Sequence, residues 1–256
     1  MRILITNDDG VESRGLGVLA GAVAAAGHDV VVAAPDRDQS GCGAGIGQWH
    51  LDEHIDVQDV VLEDAPDVRA IAVRGTPALA VFAANLGAFG PAPDLVVSGI
   101  NPGLNTGRAT LHSGTVGAAL TAANLGRSGL AVSQDYGDPM RWRTAAALAV
   151  EAVDWLAAAP DRTVLNLNVP NTEPAQVKGI RWATLAPFGS VRAAIADTDD
   201  GRLQMEFREV DEELPEGSDT ALVFAGYAAV SSLVGIRVGE PLPLADGVDP
   251  LIRRSA

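Results

Sequence analysis

Residues 7–10, Asn-Asp-Asp-Gly, put two adjacent carboxylates and an amide directly behind the apolar run ILIT (3–6). Neighbouring carboxylates repel one another unless water, an arginine, a helix N-terminus or a metal ion lies between them. Further oxygen-bearing side chains recur downstream at the ends of other apolar runs. Asp36, Arg37, Asp38, Gln39 and Ser40 follow one; Gly75 and Thr76 follow the next; Ser98, Asn101 and Asn105 follow a third, ahead of Ser113-Gly114-Thr115. Hard oxygen donors suit Mg²⁺, Mn²⁺ or Ca²⁺ better than zinc or copper. A helix opening at Ser113 offers free backbone N–H groups and two hydroxyls, a ready seat for a phosphate dianion. A metal beside a phosphate seat implies phosphoryl chemistry.

Each of these residues also has a plainer reading. Asp8, Asp9 and Gly10 alone would read as an Asx turn capping the first helix. Ser40 alone would be a loop hydroxyl, and Asn101 and Asn105 could be left-handed turn residues around Gly103 and Gly107. Ser113 is a helix N-cap under either reading. His112, just before that cap, suits a general acid or an ordinary loop histidine equally. Nothing near Cys42 suggests an activating base, so it is not read as a nucleophile. The acidic DTDDG (197–201) lacks the helix and terminal Glu of a calcium loop and reads as a solvated turn.

The elements that must position these residues follow from periodicity. ILIT (3–6) and DVVVAAP (29–35) are continuous apolar runs, as in parallel strands covered on both faces. Between them GLGVLAGAVAAAG is an Ala-rich helix stopping at Gly27. AIAVRGTP (70–77) is a strand and turn whose Thr-Pro opens a helix to about Leu86. PDLVVSGIN (93–101), GLAVS (129–133) and TVLNLNVP (163–170) are strands; 113–126 and 141–159 are helices. Strands alternating with helices predict an α/β fold with a Rossmann-like, doubly wound, mostly parallel sheet. In such a sheet, ligands collect at the carboxyl ends of the strands.

From about residue 171 the pattern changes. GIRWATLA (179–186) and RLQMEFREV (202–210) alternate apolar and polar residues, and FAGYAAVSSL (224–233) suits a closing strand. Residues 1–170 are expected to form the metal- and phosphate-binding core. Residues 171–256 are expected to add a hairpin and tail extension within the same domain, suited to exchange between subunits of a homodimer or homotetramer.

Composition narrows the partners. A net charge of -15 argues against a nucleic-acid polymer, which needs a basic face. A single cysteine rules out a disulfide within the chain. No window approaches eighteen uninterrupted apolar residues and no basic-then-apolar leader opens the chain. A soluble, cytoplasmic protein without a membrane partner is expected.

The motifs NDDG, APDRDQSG, RGTPA, SGINPGLNTG, HSGTVGAA and LNLNVP, in this order across residues 1 to about 170, resemble those of the SurE (survival protein E) family. SDTALVFAGYAAVSSL (218–233) resembles the family's C-terminal segment. The resemblance implies a divalent-metal-dependent 5′/3′-nucleotidase hydrolysing nucleoside monophosphates. It implies metal ligands at Asp8, Asp9, Ser40 and Asn101, and phosphate contacts at Asn105, Ser113, Gly114 and Thr115. One cation per subunit is expected, Mg²⁺ or Mn²⁺ first and Ca²⁺ also suitable. Asp8, Asp9 and Asn7 are the expected catalytic residues, with Asn7 near the metal shell or the attacking water. Water is preferred over Asp8 as nucleophile, because two carboxylates on one metal leave neither free to attack.

Two stretches depart from the family pattern. Leu79 and Ala80 follow GTPA where Asp-Cys is usual, and Gly43-Ala44-Gly45 stand where polar residues are common. These departures leave the substrate open. A phosphatase of one nucleotide-like or sugar-phosphate biosynthetic intermediate, or a nucleotide sensor without turnover, is the alternative. A nucleotide-sugar transferase would need a second nucleotide-binding domain, for which residues 171–256 are too short.

Overall fold

Ile3, Leu4 and Ile5 are all fully buried, so the first strand is covered on both faces and belongs in the middle of a sheet. The computed structural model describes residues 1–47, 54–187, 191–199, 202–209 and 213–237. In chain order these form β1 (Arg2–Thr6), α1 (Arg14–Ala25), β2 (Asp29–Pro35), β3 (Val57–Leu62), β4 (Ala65–Val73), α2 (Pro77–Asn85), β5 (Leu95–Pro102), α3 (Gly114–Asn124), β6 (Ser128–Gln134) and α4 (Trp142–Ala157). Then come β7 (Val164–Val169), β8 (Ile180–Trp182), β9 (Val191–Asp199), β10 (Arg202–Glu209), α5 (Asp219–Phe224) and β11 (Ala228–Leu233).

Nine strands make one sheet in the order β3-β4-β2-β1-β5-β6-β7-β11-β8, parallel from β4 through β7. Side chains of β1 alternate between its faces. Ile3 and Ile5 pack with Leu16, Leu19 and Val23 of α1 and with Ala145, Ala149 and Val153 of α4. Leu4 packs with Ala80 and Val81 of α2 and with Ala118 and Ala122 of α3. The sheet therefore has a helical layer on each side, as a doubly wound fold requires.

The chain leaves β1 toward β2, then returns after β4 to place β5 on the other side of β1. That reversal opens a crevice between the carboxyl ends of β1 and β5.

Several expected elements shift. The stretch ahead of residue 70 is an antiparallel hairpin of β3 on β4, with β4 starting at Ala65. Residues 224–233 are not one strand: α5 ends at Phe224 and β11 begins at Ala228. The C-terminal extension does contain a hairpin, β9 on β10, forming its own two-stranded sheet. It also inserts β11 antiparallel against β7 and sets β8 parallel to β11 at the sheet edge. Single-strand periodicity carries no information about which partner a strand will choose. Residues 197–199 of DTDDG end β9, while residues 200–201, the tail beyond 237 and His50 lie outside the described residues.

Candidate active site

Asp8 is held by the N-terminus of α3. Its Oδ2 accepts from the Gly114 N–H at 3.0 Å and its Oδ1 from the Thr115 hydroxyl at 2.5 Å. The positive end of the helix dipole suits a carboxylate there. Gly114 has to be glycine: a Cβ would stand 2.7 Å from Asp8 Cβ, Asp8 Oδ2 and Cys42 Sγ. Thr115 Oγ1 also lies 3.4 Å from Asn101 Oδ1. One threonine thus joins the residue after β1 to the residue at the end of β5.

Asp9 has no such support. Its Oδ2 is buried without a hydrogen-bond partner among the described residues. Burial, then the charges of Asp8 and Asp38, raise its carboxyl from the usual range to about 7. Asn7, fully buried, spends its Nδ2 on the Gly10 carbonyl at 3.0 Å and on Ser13 Oγ at 2.6 Å. Ser13 sits at the N-cap of α1 but makes no cap bond with its side chain, so this helix start braces the loop instead. The Asn7 Oδ1 is left buried and unpartnered among the described residues, like the hydroxyls of Thr6 and Ser98, which pair in the β1–β5 register.

The loop after β2 closes the third side. Gln39 N–H donates to the Asp8 carbonyl at 2.7 Å, and Gly43 N–H to the His112 carbonyl at 3.1 Å. Ser40 is exposed and turns both its N–H and its hydroxyl onto Asp38 Oδ1, each at 2.7 Å. Those two bonds hold the Asp38 carboxyl below its usual range. Because the Ser40 hydroxyl is the donor, its oxygen lone pairs stay available. Gly117 makes close approach possible: a Cβ there would fall 2.2 Å from the Gly43 carbonyl oxygen.

Ser113, Gly114 and Thr115, expected to meet phosphate, are largely engaged inside the protein. Ser113 Oγ caps the Val116 N–H at 3.1 Å, while Gly114 and Thr115 hold Asp8. Asn105 sits farther along the same rim, over Ser133 and Asn168 at the ends of β6 and β7. Its Nδ2 donates to Ser133 Oγ at 2.8 Å. Asn101 Nδ2 donates to the Gly103 carbonyl at 2.8 Å, its Oδ1 facing Thr115. His112 is exposed on the turn before α3. Leu79 and Ala80 are buried in the first turns of α2. Thr76 caps that helix through the Leu79 N–H and donates its hydroxyl to the Gly45 carbonyl at 2.6 Å, so one threonine links the two departing stretches.

Sequence reasoning gave no role to Asp38, Asn166, Asn168 or Asp219. The available signal was two asparagines at i and i+2 inside the otherwise apolar run LNLNV, since unpaired amides do not belong in a buried strand.

Cys42 borders the site without serving as a nucleophile. Burial first, then the charge of Asp8, pushes its thiol up to about 11. The expected result is alkylation by iodoacetamide at pH 8 roughly a hundredfold slower than for glutathione, following the smaller thiolate fraction. A rate within threefold of glutathione would contradict it.

Among the described residues no cluster of three or more His, Cys, Asp or Glu stands ready to hold a metal. The oxygens that could hold one along this rim are instead those of two carboxylates, a hydroxyl and an amide. An orphaned buried carboxylate oxygen on Asp9 beside an orphaned carbonyl on Asn7 fits a hard cation: positive charge there would relieve both. No helix of the described residues is long and apolar enough to cross a membrane.

The chain has known relatives. The family model described as survival protein SurE matches residues 3–189. A Stenotrophomonas maltophilia protein named 5′-nucleotidase SurE is 40% identical over 203 residues, covering 78% of this chain and 75% of its own. A Brucella canis protein of the same name is 36% identical over 244 residues, covering 91% of this chain and 92% of its own. The crystal structure of SurE from Aquifex aeolicus superposes with a TM-score of 0.74 at 30% identity, over 91% of this chain and 93% of that one. By the family model and by these relatives, the chain belongs to the SurE family.

Proposed function

We propose that the protein is a divalent-cation-dependent phosphomonoesterase that hydrolyses nucleoside monophosphates to nucleoside and phosphate. The observation that carries this reading is the asymmetric carboxylate pair. Both oxygens of Asp8 accept hydrogen bonds, while half-buried Asp9 beside it has a buried Oδ2 without a partner among the described residues. Asp8, Asp9, Ser40 and Asn101 would hold one cation, with Mg²⁺ or Mn²⁺ suiting the oxygen set and Ca²⁺ a weaker match. When bound, the cation polarises a phosphoryl oxygen and acidifies a water.

The chain's own residues do the rest. Both Asp8 oxygens are engaged, which supports water rather than Asp8 as the nucleophile. Asn7 keeps a free carbonyl for that water because its amide nitrogen is spent on Gly10 and Ser13. The N-terminal end of α3 would stabilise charge developing on the phosphoryl group, and Asn105 retains one amide hydrogen beyond its bond to Ser133. Residues 1–170 form this core. The extension from 171 belongs with it through β11, and its edge strand β8 leaves Ile180 and Trp182 exposed for a second subunit.

The decisive measurement is release of inorganic phosphate from nucleoside 5′- and 3′-monophosphates and other phosphomonoesters, with and without Mg²⁺ or Mn²⁺. Release that EDTA abolishes and added cation restores is expected. Nucleotide binding without turnover on any substrate with any cation would sink the reading in favour of a sensor.

A further inference from the structure

Asn166 and Asn168, both fully buried in β7, reach the backbone of one residue, Asn105. Asn168 accepts from the Asn105 N–H through Oδ1 at 2.9 Å and donates Nδ2 to the Asn105 carbonyl at 3.0 Å. Its carboxamide meets that residue as the backbone of a neighbouring strand would, satisfying donor and acceptor together. Asn166 Nδ2 adds a second donor to the same carbonyl at 2.8 Å. The Asn105 side chain rests on Ser133, which pairs in register with Asn168 on one side and with Asn101 on the other. A row across the strand ends, Asn101–Ser133–Asn168, therefore links the cation side of the rim to the residue offered to the phosphate.

We propose that Asn168 is a positioning residue for substrate binding: it docks the Asn105 backbone so that the Asn105 amide lies over Ser133 and faces the phosphoryl group. The inference rests on the phosphatase reading and extends it to a residue that touches neither substrate nor cation. An amide does this and a carboxylate cannot. In Asn168→Asp the Nδ2 donor becomes an oxygen against the Asn105 carbonyl, two acceptors facing each other in a buried place.

The test measures KM and kcat for the best phosphomonoester with Asn168→Asp, Asn168→Ser, Asn105→Ala and the double variant Asn105→Ala/Asn168→Asp. Mn²⁺ affinity by EPR and amide exchange at Asn105 are read on the same proteins. KM is expected to rise about 10- to 100-fold in Asn168→Asp, the range seen when a supporting hydrogen-bond partner is lost. Mn²⁺ affinity should stay within twofold, Asn105 amide protection should fall, and the double variant should be no worse than Asn105→Ala. If Asn168→Asp does not fold, Asn168→Ser is read against the same criteria.

The proposal is overturned by KM within twofold of the parent protein. It is equally overturned by unchanged Asn105 protection, by a parallel loss of Mn²⁺ affinity, or by a loss that adds in full to Asn105→Ala. A parent protein without turnover would instead defeat the phosphatase reading, and Asn105 exchange would still report whether Asn168 holds the loop.

Discussion

Asp9→Asn is expected to abolish cation-dependent phosphate release while making the metal-free protein more stable. The loss follows from removing the carboxylate whose Oδ2 has no hydrogen-bond partner among the described residues, which is also the one a cation would neutralise. A cation supplies several kcal/mol of charge stabilisation in the transition state, so the loss should be about a thousandfold or more. The stability gain follows from the same carboxyl. Burial and the charges of Asp8 and Asp38 raise it to about 7 in the folded chain, against an ordinary value of 3.8. A raised folded value means that full stability is present below about 4 and is lost as pH rises through about 7.

Melting curves of the metal-free proteins should therefore coincide near pH 4 and separate up to pH 7. Above that pH the variant should stay ahead by a constant margin. Added Mn²⁺ should reverse the order at pH 8 by stabilising the parent protein alone. Retained cation-dependent turnover in Asp9→Asn would remove Asp9 from the site. Identical melting across the pH range would show that Asp9 carries no electrostatic penalty. Asp8→Asn tests the other half of the pair. It should also lose activity, but without a stability gain, because Asp8 Oδ2 and Oδ1 already accept from Gly114 and Thr115.

The second large effect is structural and lies in the C-terminal extension. Asp219 is fully buried at the first turn of α5 and accepts from three backbone N–H groups. Its Oδ2 takes Gly107 at 2.8 Å, and its Oδ1 takes Ala186 and Thr220, each at 2.9 Å. One side chain thus ties the extension to the loop between Asn105 and α3. Asp219→Ala would strand three buried donors, each costing about 1–3 kcal/mol. A destabilisation of about 3–5 kcal/mol is expected in urea melts, with a fall in melting temperature of roughly 10 °C for a chain of this size. Amide exchange should quicken at Gly107 and Ala186 together. A loss under about 1 kcal/mol would mean that water replaces the carboxylate at low cost. Asp219→Asn should fall between, since its amide keeps one acceptor but faces one of the three donors with another.

How far the site was legible varied residue by residue. That Asp8, Asp9, Ser40 and Asn101 follow strand ends on one rim was readable, because ILIT, DVVVAAP and DLVVS announce parallel strands by their unbroken apolar character; their choice as a ligand set came from the family resemblance alone. Ser113 was readable as an N-cap because a hydroxyl before an apolar helix satisfies a free N–H. Asn166, Asn168 and Asp219 were not assigned a role. Their partners stand 61, 63 and 112 residues away in the chain, beyond the reach of any local period.

The amino-acid sequence by itself determined the strand and helix order of residues 1–170 outside the β3–β4 hairpin, the sheet class and the oxygen-rich composition of the rim. Apolar periodicity, caps and stops are local properties. Only the tertiary structure decided that α3 presents Gly114 and Thr115 to Asp8, leaving Asp9 Oδ2 without a partner among the described residues. It also decided that β11 enters the main sheet beside β7, and that a carboxylate of α5 and two amides of β7 hold the Asn105–Gly107 loop. Hydrogen bonds between remote residues depend on register and packing, which exist only once the layers have closed.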